Sequence, residues 1–320
     1  MSADTTTRVA VASRSFSRHP VLRAELLSRY ENVTFNDAGL SLSGDALAAF
    51  LSGHDKAITA LERLDAALLA RLPDLKVVGK YGVGLDMIDL AAMSRMGKKL
   101  GWTGGVNRRS VSELTVAAAI ALLRQIPQGN AMVRDGGWKQ LMGRQLSDRV
   151  VGIVGCGHVG KDLVKLLMGF GCRILAHDIR DFPEFYAAHG VEKVGLEELL
   201  DTADVVTLHL PLDDSTRGIL SATRLARLQP GTILLNMARG GLVDEVALKT
   251  MLKDGRLGGA AFDVFACEPP QDHELLRLPN MLALPHIGGS AEEAVVAMGR
   301  AAIAGLDAAR DPLDYVGQGA

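Results

Sequence analysis

The sequence predicts an α/β protein with doubly wound parallel sheets, and three observations carry that expectation. Short, almost continuously apolar segments recur at 150–154, 173–177, 204–209, 232–236, 260–264 and 281–284. Helical or turn-rich crossovers separate them, and strands apolar on both sides belong in a parallel sheet covered on both faces. The first hundred residues repeat the alternation on a smaller scale, and a chain of 320 residues, 48% of them hydrophobic, fills two cores more readily than one.

Residues 8–13 begin a short apolar strand, helix-like segments follow around 19–29 and 45–51, and "KAITAL" at 56–61 is a further strand. "LKVVGKYGVGLD" then runs a strand into a Gly-rich loop, and Gly104 and Gly105 punctuate the exit from this first α/β domain. The segment "SVSELTVAAAIALLRQI" at 110–126 predicts a mostly apolar helix with Glu113 in its first turn, long enough to pass between or bridge two domains. Ser290 and Glu293 have capping-box spacing before "AVVAMGRAAIAGLDAA", which predicts a helix as the last regular element, able to fold back onto the first domain. The expected division is 1–104 with 291–320 as one domain and 105–290 as the other. No internal repeat or low-complexity tract competes with it.

The most informative stretch is 149–180, "RVVGIVGCGHVGKDLVKLLMGFGCRILAHDIR": a strand, a Gly-rich turn, an amphipathic helix and a second strand ending on a carboxylate. Gly155 can turn sharply off the strand, Gly157 lets a pyrophosphate approach the backbone, and Gly160 lets the helix pack closely on the sheet. The helix N-terminus then offers unsatisfied N–H groups to the phosphates. Asp178, 23 positions after Gly155, suits the ribose hydroxyls of NAD; a purely structural Gly-rich turn is the bland alternative. Gly155, Gly160 and Lys161 also approach a nucleoside triphosphate loop, but Asp162 stands where that loop needs a Ser or Thr hydroxyl for magnesium. Asp178 would repel a 2′-phosphate, which favours NAD over NADP, while the nearby Arg180 leaves some NADP use open.

A formal net charge of -2 with scattered Lys and Arg provides no broad basic surface, so nucleic acid and anionic membrane are not the expected partners. Cys156, Cys172 and Cys267 show neither metal-ligand spacing nor a disulfide framework, so no metal is expected and the three read as buried or half-buried thiols of a reducing compartment. The start "MSADTTTRVAVASRSF" is not a basic segment leading into a long apolar run, and no later run reaches bilayer length. A soluble cytoplasmic protein is the expectation.

Three further segments, "LLNMARGGLVDE", "AAFDVFACEPP" and "ALPHIGGSAEEA", end or follow predicted strands. Ligands gather outside the carboxyl ends of strands in an open α/β sheet, which would bring Arg239, Asp263, Glu268 and His286 to one rim. Singly, Arg239 reads as a surface or ion-pair residue, His286 as structural and Glu268 as a solvent-facing acid; together they suit a small 2-hydroxy or 2-oxo acid. Arg239 could hold its carboxylate through a bidentate pair. His286 could exchange a proton with the substrate oxygen as hydride is transferred, and Glu268 would hold the ring and favour its protonated form.

By these motifs, from about residue 55 to 305, the chain resembles the D-isomer-specific 2-hydroxyacid dehydrogenase family, particularly its phosphoglycerate-dehydrogenase-like branch. The resemblance implies Rossmann-like and flavodoxin-like domains with the active site in the interdomain cleft. The first domain and terminal helix would bind substrate and the middle would bind NAD(H). It also implies that Arg239 in "NMARGG" binds the substrate carboxylate, that Glu268 in "DVFACEPP" is the partner acid, and that His286 in "PHIGG" donates and accepts the proton. Asp263 resembles the acid near the nicotinamide carboxamide, and the N–H groups of Val83 and Gly84 in "YGVGLDMID" help bind the carboxylate. Gly155, Gly157, Gly160, Asp178, Thr216, Pro211, Gly288 and the backbone around His158, Val159, Met237 and Ala238 match cofactor contacts, as does His209 in "VTLHLPL", on the cofactor side. A homodimer is implied as well.

Asn107, Arg108 and Arg109 lie at or before the start of the predicted long helix, where they could approach substrate, Asn107 foremost; adjacent arginines are also a common solvated feature. "ITALERLD" departs from the Arg-containing pattern of phosphoglycerate dehydrogenases, with Leu61 and Glu62 in that neighbourhood, which weakens 3-phosphoglycerate as the substrate. The chain's end without an added regulatory domain implies no serine feedback control. The expected activity is NAD-dependent interconversion of a D-2-hydroxy acid and its 2-oxo acid, with 3-phosphoglycerate dehydrogenase proper, or an NAD(H)-sensing interaction protein, as alternatives.

Overall fold

The computed structural model describes residues 3–316, which fall into two units. One takes everything described up to Asn107 and from Ser290 onward, and the other is Arg108–Gly289. Residues 1–2 and 317–320 of the predicted first domain lie outside the described residues.

The first unit is a five-stranded sheet of β1 (Asp4–Val11), β2 (Tyr30–Phe35), β3 (Lys56–Thr59), β4 (Val77–Lys80) and β5 (Lys99–Gly101). All pairings are parallel and the order is β2-β1-β3-β4-β5, a doubly wound arrangement with its switch point between β1 and β3. Successive residues of β1 show both faces covered: Ala10 joins the core containing Leu47, Leu68 and Met93, whereas Val9 and Val11 join Phe16, Leu22 and Ile303. The helix Glu292–Gly305 closes this second face, so the predicted return of the chain to the first sheet is present. Its approach is close enough that a Cβ on Gly79 would lie 2.5 Å from the Ala302 carbonyl oxygen and one on Gly101 2.1 Å from that of Gly305. The predicted capping box does not form. The N-cap is Ala291, without a side-chain bond, because Ser290 sits one residue too early; Glu292 and Glu293 in the first turn suit the positive helix end instead. A short 3-10 turn, Pro312–Tyr315, follows as the last regular element among the described residues.

The second unit is a seven-stranded parallel sheet of β6 (Val150–Val154), β7 (Arg173–His177), β8 (Val191–Lys193), β9 (Val205–Leu208), β10 (Ile233–Asn236), β11 (Gly259–Phe262) and β12 (Met281–Ala283). Its order, β12-β11-β10-β9-β6-β7-β8, is that of two mononucleotide-binding halves with one added edge strand. The strand order reverses between β6 and β9, the switch point beyond whose carboxyl ends ligands of such sheets gather. The apolar helix predicted at 110–126 begins earlier and ends sooner, at Arg108–Leu123, so Glu113 falls outside its first turn. Gln125 then takes a left-handed conformation (φ 53°), and a separate helix, Ile126–Arg134, follows with none of its residues buried. Among the described residues no helix is long and apolar enough to cross a membrane. Cys156 is buried and Cys172 intermediate, but Cys267 is exposed, against the expectation for that thiol.

Candidate active site

The Gly-rich turn leaves β6 with Gly155 at φ +96°, where a Cβ would fall 2.5 Å from the His209 carbonyl oxygen. A side chain is therefore excluded on both conformational and steric grounds. Gly157 caps the helix His158–Leu167, and a Cβ on Gly160 in its first turn would lie 2.4 Å from the Gly155 carbonyl. The turn is thus a bare backbone cradle before a helix N-terminus, which fits a pyrophosphate. Asp178, just beyond β7, accepts the Cys156 N–H at 2.7 Å and the Arg180 N–H at 2.8 Å, so the acid also braces the loop. Arg180 Nε lies 3.8 Å from the same carboxylate. His158 is exposed at the first helical position, and desolvation, then Arg108, Arg180 and Lys161, favours its neutral form. Val159 follows it, its carbonyl accepting a bond from Ser112.

Beyond β9, His209 is buried and its Nε2 lies 3.0 Å from the Thr207 hydroxyl. Burial lowers its pKa to about 3. Thr216 donates its hydroxyl to the Pro211 carbonyl at 2.8 Å and accepts the Asp213 N–H at 2.9 Å, which closes the turn after that strand.

The remaining groups come from three successive strands, β10, β11 and β12, each about 4.8 Å from the next. After β10 the buried Asn236 ties its own loop: its Nδ2 donates to the Arg239 carbonyl at 2.9 Å and its Oδ1 accepts the Ala238 N–H at 3.2 Å. Met237 and Ala238 are buried inside this loop and Arg239 is half-buried, one Nη1 donating to the Ala238 carbonyl. Sequence reading passed over Asn236; a polar residue ending the apolar run "ILLN" was the available signal.

After β11, Glu268 accepts the Phe265 N–H on Oε1 at 3.1 Å and meets His286 Nδ1 with Oε2 at 2.9 Å. An ionised carboxylate only accepts, so Nδ1 carries the proton and donates, leaving Nε2 as the nitrogen free to exchange one. His286 and Glu268 remain 44% and 40% exposed, open to a small molecule. His286 has a left-handed backbone (φ 57°), uncommon for a side chain of its size. Asp263 holds that geometry by accepting the N–H groups of Ile287 at 2.7 Å and Gly288 at 2.6 Å. Burial raises the Asp263 pKa against the opposing effect of those two bonds. Asp263 is therefore first an anchor of the His286 loop, although its sequence pattern suggested a cofactor contact.

Arg239, Asp263, Glu268, His286 and the Gly-rich turn all belong to the second unit and its carboxyl edge. Arg109 Nη2 pairs with the buried Asp162 at 3.1 Å, while the Arg109 side chain itself stays 51% exposed. Val83, Gly84 and Asn107 belong to the first unit. There the Trp102 indole N–H donates to the Val83 carbonyl at 2.9 Å, and the buried Asn107 Oδ1 has no hydrogen-bond partner among the described residues.

Residues 116–288 match the family model of the D-isomer specific 2-hydroxyacid dehydrogenase NAD binding domain. The chain is 37% identical over 257 residues to D-3-phosphoglycerate dehydrogenase of Rattus norvegicus, covering 79% of this chain and 48% of that one. It thus spans about half the length of the curated relatives it matches. Among solved structures, the TT0316 protein of Thermus thermophilus superposes with a TM-score of 0.82 at 34% identity, covering 96% of this chain and 97% of that one. A glyoxylate reductase from Paecilomyes thermophila gives 0.84 at 25% identity, covering 96% and 95%. A glycine cradle at the switch point, an acid closing the next strand and an Arg, Glu and His on one sheet edge thus coincide with a match over more than half the chain, and the protein belongs to the D-isomer specific 2-hydroxyacid dehydrogenase family, in its phosphoglycerate-dehydrogenase-like branch.

Proposed function

We propose that the protein is an NAD-dependent dehydrogenase that interconverts a D-2-hydroxy acid and its 2-oxo acid. The observation that carries this reading is the His286–Glu268 pair at 2.9 Å on the same sheet edge as Arg239. Bound NAD(H) supplies or accepts the hydride. Arg239 binds the substrate carboxylate, and His286 Nε2 gives a proton to the ketone oxygen during reduction or takes it during oxidation. Glu268 holds the ring tautomer that leaves Nε2 available. Gly155, Gly157 and Gly160 with the backbone of His158 and Val159 cradle the pyrophosphate. Asp178 serves the ribose, and Pro211, Thr216, Met237, Ala238, Asp263 and Gly288 line the rest of the cofactor path, with His209 behind them. Val83, Gly84 and Asn107 are proposed as substrate contacts on the family pattern alone.

An unphosphorylated 2-oxo acid is favoured over 3-phosphoglycerate. The exits of β3 and β4 are neighbours, and the β3 exit carries Glu62, whose Oε2 accepts the Ala60 N–H at 2.5 Å. The absence of the Arg-containing pattern from "ITALERLD" is what supports this preference. An NADH-sensing interaction protein is the second reading, and the intact Arg239, Glu268 and His286 set argues against a binding-only role. A homodimer is proposed on the apolar surface of 126–142, and cytoplasmic residence on cysteine usage.

NADH consumption with phosphohydroxypyruvate, glyoxylate, pyruvate and bulkier apolar 2-oxo acids tests the activity. One acid should be strongly preferred. His286→Gln should lower kcat by about 100-fold or more while leaving NADH affinity nearly unchanged. Undiminished turnover in that variant removes His286 from the proposed role; no turnover of any acid despite NADH binding favours the sensor.

A further inference from the structure

Glu245 is half-buried at the first position of the helix Glu245–Lys253, directly after its N-cap Asp244. Its Oε1 reaches 21 residues along the chain to accept the Ala266 N–H at 2.8 Å. Burial raises its pKa, the Ala266 bond opposes this, and Asp272, itself held by Lys249 at 2.8 Å, adds to the rise. Retaining an acid in that setting is costly unless its bond to the loop is worth keeping.

Ala266 stands two residues before Glu268, in a stretch that is exposed from Ala266 to Pro269. One residue earlier, Phe265 is fixed from two sides: its N–H donates to Glu268 Oε1, and its carbonyl packs so tightly on Gly240 that a Cβ there would lie 1.8 Å away. The loop carrying Glu268 therefore touches the loop carrying Arg239 at Gly240, and Glu245 ties the next amide of that loop to a helix end. We propose that Glu245 is a positioning residue for the reaction: by holding the Ala266 N–H it fixes the 263–270 loop so that Glu268 meets His286 Nδ1. It touches neither substrate nor cofactor, and its effect passes through Glu268. This inference rests on the dehydrogenase reading of the site.

The test compares Glu245→Ala, Glu245→Asp and Glu245→Gln with the unaltered protein. The Gln amide oxygen can accept the same N–H, whereas the Asp carboxylate keeps the charge but is one methylene too short. Ala and Asp should lower kcat by about 10- to 100-fold, the scale of a small misplacement of a reacting group. NADH affinity should change by less than about threefold, since the Gly-rich turn is untouched. Gln should restore kcat. Should Ala fail to fold, the Asp and Gln pair makes the same comparison.

Hydrogen exchange of the 263–270 segment supplies a readout that needs no turnover: faster in Ala and Asp, unchanged in Gln. Equal kcat in all four proteins, equal loss in Asp and Gln, or unchanged exchange in Asp would each overturn the role of Glu245. If the unaltered protein turns over no 2-oxo acid, the reading of the site fails separately, and faster exchange in Asp alone would then support only the hold on the loop, not a role in the reaction.

Discussion

His209 shows how far a single residue's identity and its environment diverge. The motif "VTLHLPL" marked it, and the structure buries it at the end of β9 with Nδ1 lacking a partner among the described residues. Desolvation lowers its pKa from 6.5 to about 3, so the folded state holds it neutral. The stability linked to that shift is fully present above the unfolded value. It is lost as pH falls from about 6.5 towards 3, because the unfolded chain takes up a proton that the folded chain refuses. Each unit of pH in that window costs up to about 1.4 kcal/mol. Urea unfolding at pH 7 and pH 5 should show a drop in midpoint that His209→Gln reduces; an identical drop in both proteins would assign the acid sensitivity elsewhere. By contrast, Arg239, Glu268 and His286 were legible as types at strand ends. The contacts that give them geometry were not, because Asn236, Asp263 and Glu245 act through backbone N–H and C=O groups that one-dimensional spacing does not display.

At the scale of elements, strands covered on both faces were legible because burial demands continuous apolar runs, as in "VVGIV" of β6 and "ILLN" of β10. The edge strands β2, β5 and β8 were not anticipated: β2 reads "YENVTF" with most of its positions partly or fully exposed, and β5 and β8 are three residues long. β12 is also a three-residue edge, but its segment is apolar throughout and was legible, whereas β2, β5 and β8 interleave polar or charged residues. Helix ends were misjudged as well, since Ser290 had the right spacing for a cap but the chain turned one residue later. The Gly160 position makes the opposite case, where one residue carries a strict demand between two elements. A methyl group there would meet the Gly155 carbonyl at 2.4 Å, so the helix His158–Leu167 would have to move off β6. Gly160→Ala should cost about 1–3 kcal/mol of stability by overpacking and weaken NADH binding by about tenfold or more. Calorimetry and NADH fluorescence titration check both, and a variant with unaltered affinity would mean the cradle can adjust.

For the molecule as a whole, the two sheets were foreseeable from the alternation of strands and crossovers, but the surface of the second unit was not. The helix Ile126–Arg134 buries none of its residues and leaves Ile126 54% and Val133 53% exposed, and the segment after it presents Trp138 at 89% and Met142 at 94%. Large apolar side chains so concentrated in 17 residues depart from a surface on which single exposed hydrophobics are scattered. Beside them lies a groove of about 720 Å³ whose apolar floor of Leu122, Ile233 and Leu257 is rimmed by Gln128, Arg144 and Lys253, with Met142 also in its lining. A reciprocal pairing, each copy offering its exposed apolar segment to the other's groove, would form a two-fold dimer. The proposed occupant is therefore a second copy of this chain. Trp138→Glu combined with Met142→Glu places two charges where that pairing would bury them, a cost on the order of several kcal/mol per copy. Sedimentation at micromolar concentration should show a dimer for the unaltered protein and a monomer for the double variant. NADH affinity should persist in that monomer, because the Gly-rich turn lies at the carboxyl end of β6 and the groove at the amino ends of β10 and β11. An unaltered protein that sediments as a monomer, or a double variant that remains dimeric, would remove this surface from the assembly.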